Sequence, residues 1–307
     1  MTCAKIGRDG KTVYFLRDFQ GWERHQLYAI RNGHAEEEQL SNFEDIRLFD
    51  FALSPNNREI ALTGSTAKFN YVWIFNLETR IHEPVYECPG WGFSTNYSSQ
   101  GDMLVFSANT TGIPRSSELV IINITKTTLG HLPLNRAVKT QAWKWSPSKK
   151  KILFRTNAAG PYDLAIYDVD SDTTTYLGLS SYGVDFTDFS WLTDEGVWFV
   201  ARFNGRSRLY VVKNGVREID VGGTITGIEV NESGDVAVFS LSSLSTPPAV
   251  YSVNLATNEM HLLFQPRYAA ELPLGKAEFI TYKSFDGLTI PAFLVLHNGR
   301  WALSTFT

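Results

Sequence analysis

One phrase recurs six times along this chain, and its spacing constrains the fold more than any other feature. Each copy is a strand that ends in a polar turn and is followed by a strongly apolar strand. The copies run over Ile6–Leu16, Phe51–Leu62, Tyr97–Phe106, Trp145–Phe154, Trp191–Val200 and Val230–Phe239. Their turns align at positions 10, 57, 101, 149, 195 and 234, so the steps are 47, 44, 48, 46 and 39 residues. That brackets the roughly 40–50 residues of a four-stranded propeller blade.

A third strand follows each phrase at a similar distance: Gln26–Ile30, Tyr71–Phe75, Glu118–Ile122, Asp163–Tyr167, Arg208–Val212 and Ala249–Val253. A turn and a shorter, more polar fourth strand close the unit, as in Ser171–Leu177. The aromatic load of 8 Trp, 13 Tyr and 20 Phe suits strands, and 23 Gly suit the turns between them. No segment carries a sustained 3.6-residue apolar period with caps, so the sequence predicts almost no helix. The expected fold is all-β: a propeller of about six four-stranded blades. One such sheet cannot bury both of its apolar faces alone, whereas radial stacking buries each against the next blade. Trp143, Trp145, Trp191 and Trp198 read as packing between blades.

After Phe264 the period stops. Residues 1–265 are assigned to the propeller and 266–277, with Pro266 and Pro273, to an irregular linker. Residues 278–307 differ in character: Glu278–Ser284, a turn at Phe285-Asp286-Gly287 and Leu288–Leu296 form a hairpin. An isolated hairpin is marginally stable in water, so this one suggests the opening of a further domain.

Several function classes are disfavoured by composition. With 28 Lys+Arg against 32 Asp+Glu, a net charge of −4 and no basic stripe, nucleic acid is not an expected partner. No apolar stretch approaches a membrane span, so no membrane partner is expected. Cys3 and Cys88 make no disulfide framework, and the six histidines offer no metal-ligand spacing. No cofactor and no metal are expected. The N-terminus has no apolar core of a signal peptide, which makes a cytoplasmic setting the expectation.

In its order of motifs the chain resembles the prolyl oligopeptidase family of serine peptidases, and within it the archaeal acylaminoacyl-peptidases. The matching stretches are Arg17–Tyr28, Ala61–Thr66, Pro89–Phe93, Ser243–Tyr251, and Ser284–Gly287 with Ile290-Pro291. The resemblance implies a propeller of about seven blades capping an α/β-hydrolase domain that carries a Ser-Asp-His triad. By that measure one N-terminal blade is missing, and residues 278–307 are the truncated start of the hydrolase domain. A ring short of one blade would expose two faces and favour self-association.

The nucleophile elbow G-x-S-x-G does not occur in these residues. The nearest strings, Gly178–Tyr182 and Gly92–Asn96, lack the final glycine, and His297–Arg300 is at most a remnant of the family's oxyanion stretch. No catalytic residue is assigned. His25, His34, His82, His131 and His261 read as surface residues, and Glu36-Glu37-Glu38 as a solvated outer edge. Asp185 and Asp188, near the presumed inner strand of the fifth blade, are the candidates for lining the channel and meeting a peptide amine.

The expected function is therefore the non-catalytic, substrate-gating propeller of a serine oligopeptidase, inactive alone. Its partners would be short peptides and the hydrolase domain. The alternative is a stand-alone binding scaffold like the Tol-associated propellers. A third arrangement, a split peptidase with its catalytic half on another chain, is the remaining possibility.

Overall fold

The computed structural model describes residues 3–7, 9–18, 21, 24–31, 36–88, 92–98, 100–114, 116–125, 128–131, 138–148, 150–182, 185–231, 233–267, 275–297 and 300–305. Among them there is no α-helix. The architecture is a six-bladed β-propeller of four-stranded antiparallel sheets, each with its strands in chain order. Blade 1 holds β1 (Cys3–Ile6), β2 (Thr12–Arg17), β3 (Gln26–Arg31) and β4 (Glu38–Gln39). Blade 2 holds β5 (Arg47–Leu53), β6 (Glu59–Ser65), β7 (Asn70–Asn76) and β8 (His82–Cys88). Blade 3 holds β9 (Gly92–Tyr97), β10 (Met103–Ala108), β11 (Glu118–Asn123) and β12 (Thr128–His131). Blade 4 holds β13 (Thr140–Trp145), β14 (Lys151–Thr156), β15 (Asp163–Asp168) and β16 (Thr173–Tyr176). Blade 5 holds β17 (Phe186–Thr193), β18 (Gly196–Phe203), β19 (Arg206–Val212) and β20 (Val216–Asp220). Blade 6 holds β21 (Thr224–Val230), β22 (Val236–Ser243), β23 (Thr246–Asn254) and β24 (Met260–Phe264).

The recurring phrase is the β-turn between the first two strands, and its chemistry is the same in four blades. Gly7, Ser54, Ser98 and Asn231 each donate their N–H across the turn, to the carbonyls of Thr12, Glu59, Met103 and Val236 at 2.7–3.0 Å. Three residues on, Gly10, Asn57, Gly101 and Gly234 donate back to them and adopt φ of 64°, 55°, 80° and 71°. Such a left-handed residue strongly favours Gly or Asn, which explains why these types punctuate the repeat. Side chains satisfy the remaining amides. Asp9 Oδ1 accepts from Lys11 and Thr12, and Asn231 Oδ1 accepts from Asp235 and Val236. Blade 5 departs from this pattern: Thr193 pairs with Gly196, so only Asp194 and Glu195 form its turn.

The chain divides into two compact units. One comprises Met1–Trp145 and Lys149–Leu177, the other Ser146–Ser148 and Gly178–Thr307. In the first, Leu16 and Leu27 share a cluster with Phe51, Ile60 and Phe75, so blades 1 and 2 bury a common face. A second cluster joins blades 2, 3 and 4 through Ala61, Val72, Leu104, Phe106, Trp143 and Phe154. In the other unit Trp198, Val200 and Leu209 pack with Ile225, Phe239 and Leu241 of blade 6. Trp143 and Trp198 thus serve between blades; Trp145 lies against the blade 3 cluster, and Trp191 is buried. Each Phe so buried contributes about 1.5–3 kcal/mol relative to exposure.

The terminal segment is a three-stranded antiparallel sheet of β25 (Lys276–Lys283), β26 (Thr289–His297) and β27 (Arg300–Thr305), one strand more than the expected hairpin. His297 of β26 pairs with Arg300 of β27, and Asn298 and Gly299 of the stretch read as an oxyanion remnant lie outside the described residues. The acidic run also does more than solvate an edge. Glu37 pairs with Arg17, and Glu38 bridges Arg31 and Arg80 at 3.6 and 2.6 Å, tying blade 1 to blade 2.

Candidate functional site

Strand alternation places two kinds of connection at one end of every blade: the second-to-third turn, and the link from the fourth strand to the next blade. At this end of blades 5 and 6 the terminal sheet makes its contact. The Arg206 guanidinium lies 5.3 Å over the ring of Phe293. Phe293 is nearly buried and meets Phe279 edge-on at 5.6 Å. Beside them opens a cavity of about 380 Å³, lined by Arg206, Gly223, Thr224, Ser243, Ser245 and Phe293 among others. A smaller cavity of about 130 Å³ adjoins it, with Phe203, Arg208, Asp220 and Phe279 in its wall.

The local sequence makes these walls stiff. Asn204 and Gly205, at φ 49° and 72°, form a two-residue turn whose twist suits a hairpin, and Arg206 follows it directly. Buried Ser207 donates its N–H to the Gly223 carbonyl at 2.9 Å, and its Oγ accepts from the Ile225 amide at 2.9 Å. A Cβ on Gly223 would sit 2.6 Å from the Ser242 carbonyl oxygen, so only glycine allows this approach. The two arginines differ electrically. Arg208 lies 4.3 Å over Phe203 and pairs with Glu218 at 3.0 Å. Among the described residues Arg206 has no carboxylate partner.

The equivalent end of blades 1 and 2 carries two open hollows of about 620 and 760 Å³. Arg24 lines both and is anchored by a 3.0 Å bond to the Glu44 carbonyl. Arg17, in the larger hollow, lies 5.2 Å over Tyr28 and pairs with Glu37.

Asp188 lies in β17 at a bulge opposite Val200, and its Oδ1 accepts from the Phe189 amide at 2.9 Å. The Asp185 carbonyl accepts from the Arg202 amide at 3.0 Å, just before β17. Both are half-buried. Gly178–Tyr182 lies in the connection leading to β17, and Gly92–Asn96 lies inside β9, so neither string sits at a strand-to-helix turn. His82 is exposed against Phe43, and His261 is exposed 3.4 Å from Glu259. His34 lies outside the described residues. Among the described residues no three His, Cys, Asp or Glu gather as metal ligands. Sequence reasoning missed Arg206; the Asn204-Gly205 turn was the signal that could have marked it.

A family model described as the N-terminal domain of acylamino-acid-releasing enzyme-like proteins matches residues 7–251. The chain belongs to that family. The match runs from the turn after β1 into β23, touching all six blades, and leaves β1, β24 and the terminal sheet outside. Solved structures share this fold at low identity. A structure from a study of two prolyl endopeptidases superimposes with a TM-score of 0.77 at 15% identity, covering 96% of this chain and 46% of that one. A puromycin-hydrolysing peptidase from Mycobacterium tuberculosis gives 0.73 at 14%, covering 95% and 50%. TolB from Acinetobacter baumannii gives 0.57 at 15%, covering 83% and 64%. The chain thus spans about half the length of these peptidases. No curated protein matches it by sequence.

Proposed function

We propose that this chain is the part of a serine oligopeptidase that restricts which substrates reach the active serine, that serine lying on an α/β-hydrolase domain outside these 307 residues. The family match over residues 7–251 carries this reading. It is supported by the terminal sheet, which extends a distinct fold from the end of blades 5 and 6 and anchors there through Arg206 and Phe293. Gating would be steric: a propeller of packed sheets would admit a flexible short peptide and exclude a folded chain. Asp185 and Asp188, on and beside the first strand of blade 5, would offer negative charge to an incoming peptide amine. Acyl transfer itself needs a nucleophile elbow and oxyanion donors, and these residues contain no G-x-S-x-G.

Two assays test the proposal. The purified 307-residue chain should not turn over acyl-alanyl anilides; turnover abolished by a serine-directed phosphonate would overturn it. The product of the complete reading frame should cleave short acylpeptides and spare casein. Equal cleavage of both would exclude gating. A stand-alone scaffold of the TolB kind is the weaker reading, with the lower structural likeness of 0.57 against 0.77. It predicts flanking DNA without any G-x-S-x-G-encoding segment.

A further inference from the structure

We propose that the cavity at the end of blades 5 and 6 binds a carboxylate carried on an apolar group, with Arg206 supplying the charge. A guanidinium is a planar fork that suits a carboxylate bidentately, and charge-assisted bonds of this kind are the strong ones. Arg208 is committed to Glu218, whereas Arg206 has no acidic partner among the described residues and is held instead over the Phe293 ring. Thr224, Ser243 and Ser245 bring hydroxyls to the same wall, while Phe293, Ala277 and Leu244 supply apolar surface. Among the described residues Arg206 is the one unpaired cation of this wall, and a cation beside hydroxyls and an aromatic ring fits a monoanion with a hydrophobic body. Asp220, in the wall of the adjoining cavity, disfavours a dianion such as phosphate. The volume of about 380 Å³ falls within the roughly 300–1,000 Å³ of small-molecule sites. The Asn204-Gly205 turn and the Ser207 bonds hold the wall in place before any ligand arrives, which lowers the ordering cost of binding.

The carboxylate could end a peptide or sit on an acidic side chain, and the same atoms would read either. The site stands apart from the peptidase reading, since every residue lining it lies within these 307 residues. Calorimetric titration of the 307-residue chain at low salt uses three probes: N-acetyl-phenylalanine, its amide, and N-acetyl-aspartyl-phenylalaninamide. The acid should bind at least tenfold more tightly than its amide. Arg206→Gln should lose at least tenfold, and Arg206→Lys should recover part of that loss. Ser243→Ala with Ser245→Ala, on an exposed turn where folding is not at stake, should weaken the acid a few-fold. Binding of the aspartyl probe like the acid assigns the site to side-chain carboxylates; failure of that probe alone assigns it to chain ends. Equal binding of acid and amide, wild-type affinity in Arg206→Gln, or no heat from any probe at millimolar concentration each overturns the proposal.

Discussion

Blades 3 and 6 are built from the same four-stranded unit, yet they are covered differently. In β10 every residue from Leu104 to Ala108 is buried, so both faces of blade 3 are sealed by its neighbours. In β22 burial alternates: Ala237, Phe239 and Leu241 are covered, whereas Val238 is 38% exposed. All five residues of β24 are exposed, with Phe264 at 61%; β16 at the equivalent position of blade 4 is exposed too, but mostly polar. A sheet's worth to the fold is therefore set by how many of its faces meet another sheet, not by how apolar they are. An apolar strand left open contributes nothing and invites edge pairing.

The largest expected effect lies in blade 3. Phe106→Ala, which empties a site shared with Tyr86, should cost about 3–5 kcal/mol in a denaturant titration. A cost no greater than that of changing Phe264 would dissolve the contrast between the blades. Next comes a backbone effect. At Gly234, φ is +71° and a Cβ would lie 2.9 Å from the Leu192 carbonyl oxygen, so Gly234→Ala should cost about 1–3 kcal/mol. An unchanged melting temperature would show that this turn is not held against blade 5. Glu38→Gln loosens the exposed bridge between blades 1 and 2 and should cost only about 0.2–1 kcal/mol, less in high salt. A salt-independent loss of several kcal/mol would assign the pair a buried role. Phe264→Lys should stay within about 0.5 kcal/mol of wild type while reducing any concentration-dependent association by light scattering.

The last prediction is a titration. Burial, with the negative charges of Cys88 and Glu118 behind it, pushes the Tyr86 phenol up to about 12. Because the folded value is the higher one, the stability linked to the neutral hydroxyl is intact below pH 10 and is lost as pH rises toward 12. Phenolate absorbance should therefore show a late rise shared by several buried phenols, and Tyr86→Phe should remove one phenolate's worth of it. A late rise of undiminished size in that variant would leave it wholly to the other raised phenols, such as Tyr167, also pushed to about 12 by burial and by its bond to Asp172.

Most of the fold was legible because it rests on short-range chemistry that recurs along the chain, with the same turn in four of the blades. Positions such as Asn57, Gly101 and Gly234 must tolerate a left-handed backbone, so their spacing exposes the blade period without any coordinates. The third strands lie where the period places them, and Trp143 and Trp198 serve between blades as their neighbours in sequence imply. The terminal sheet was only partly legible. Its third strand, Arg300–Thr305, opens within a stretch whose family resemblance drew the reading toward an oxyanion remnant rather than toward a strand.

The pairing of Arg206 with Phe293 was not legible at all. The two lie 87 positions apart, in sheets of different kinds, and no local rule brings a cation to a distant ring. The linear order of residues thus established the blades, their turns and their kinship, since turn geometry and alternation act over a few residues. Folding in three dimensions chose which apolar faces would be sealed and which arginine would meet Phe293 rather than, among the described residues, a carboxylate. Those outcomes depend on long-range contacts, which no stretch of the chain encodes alone.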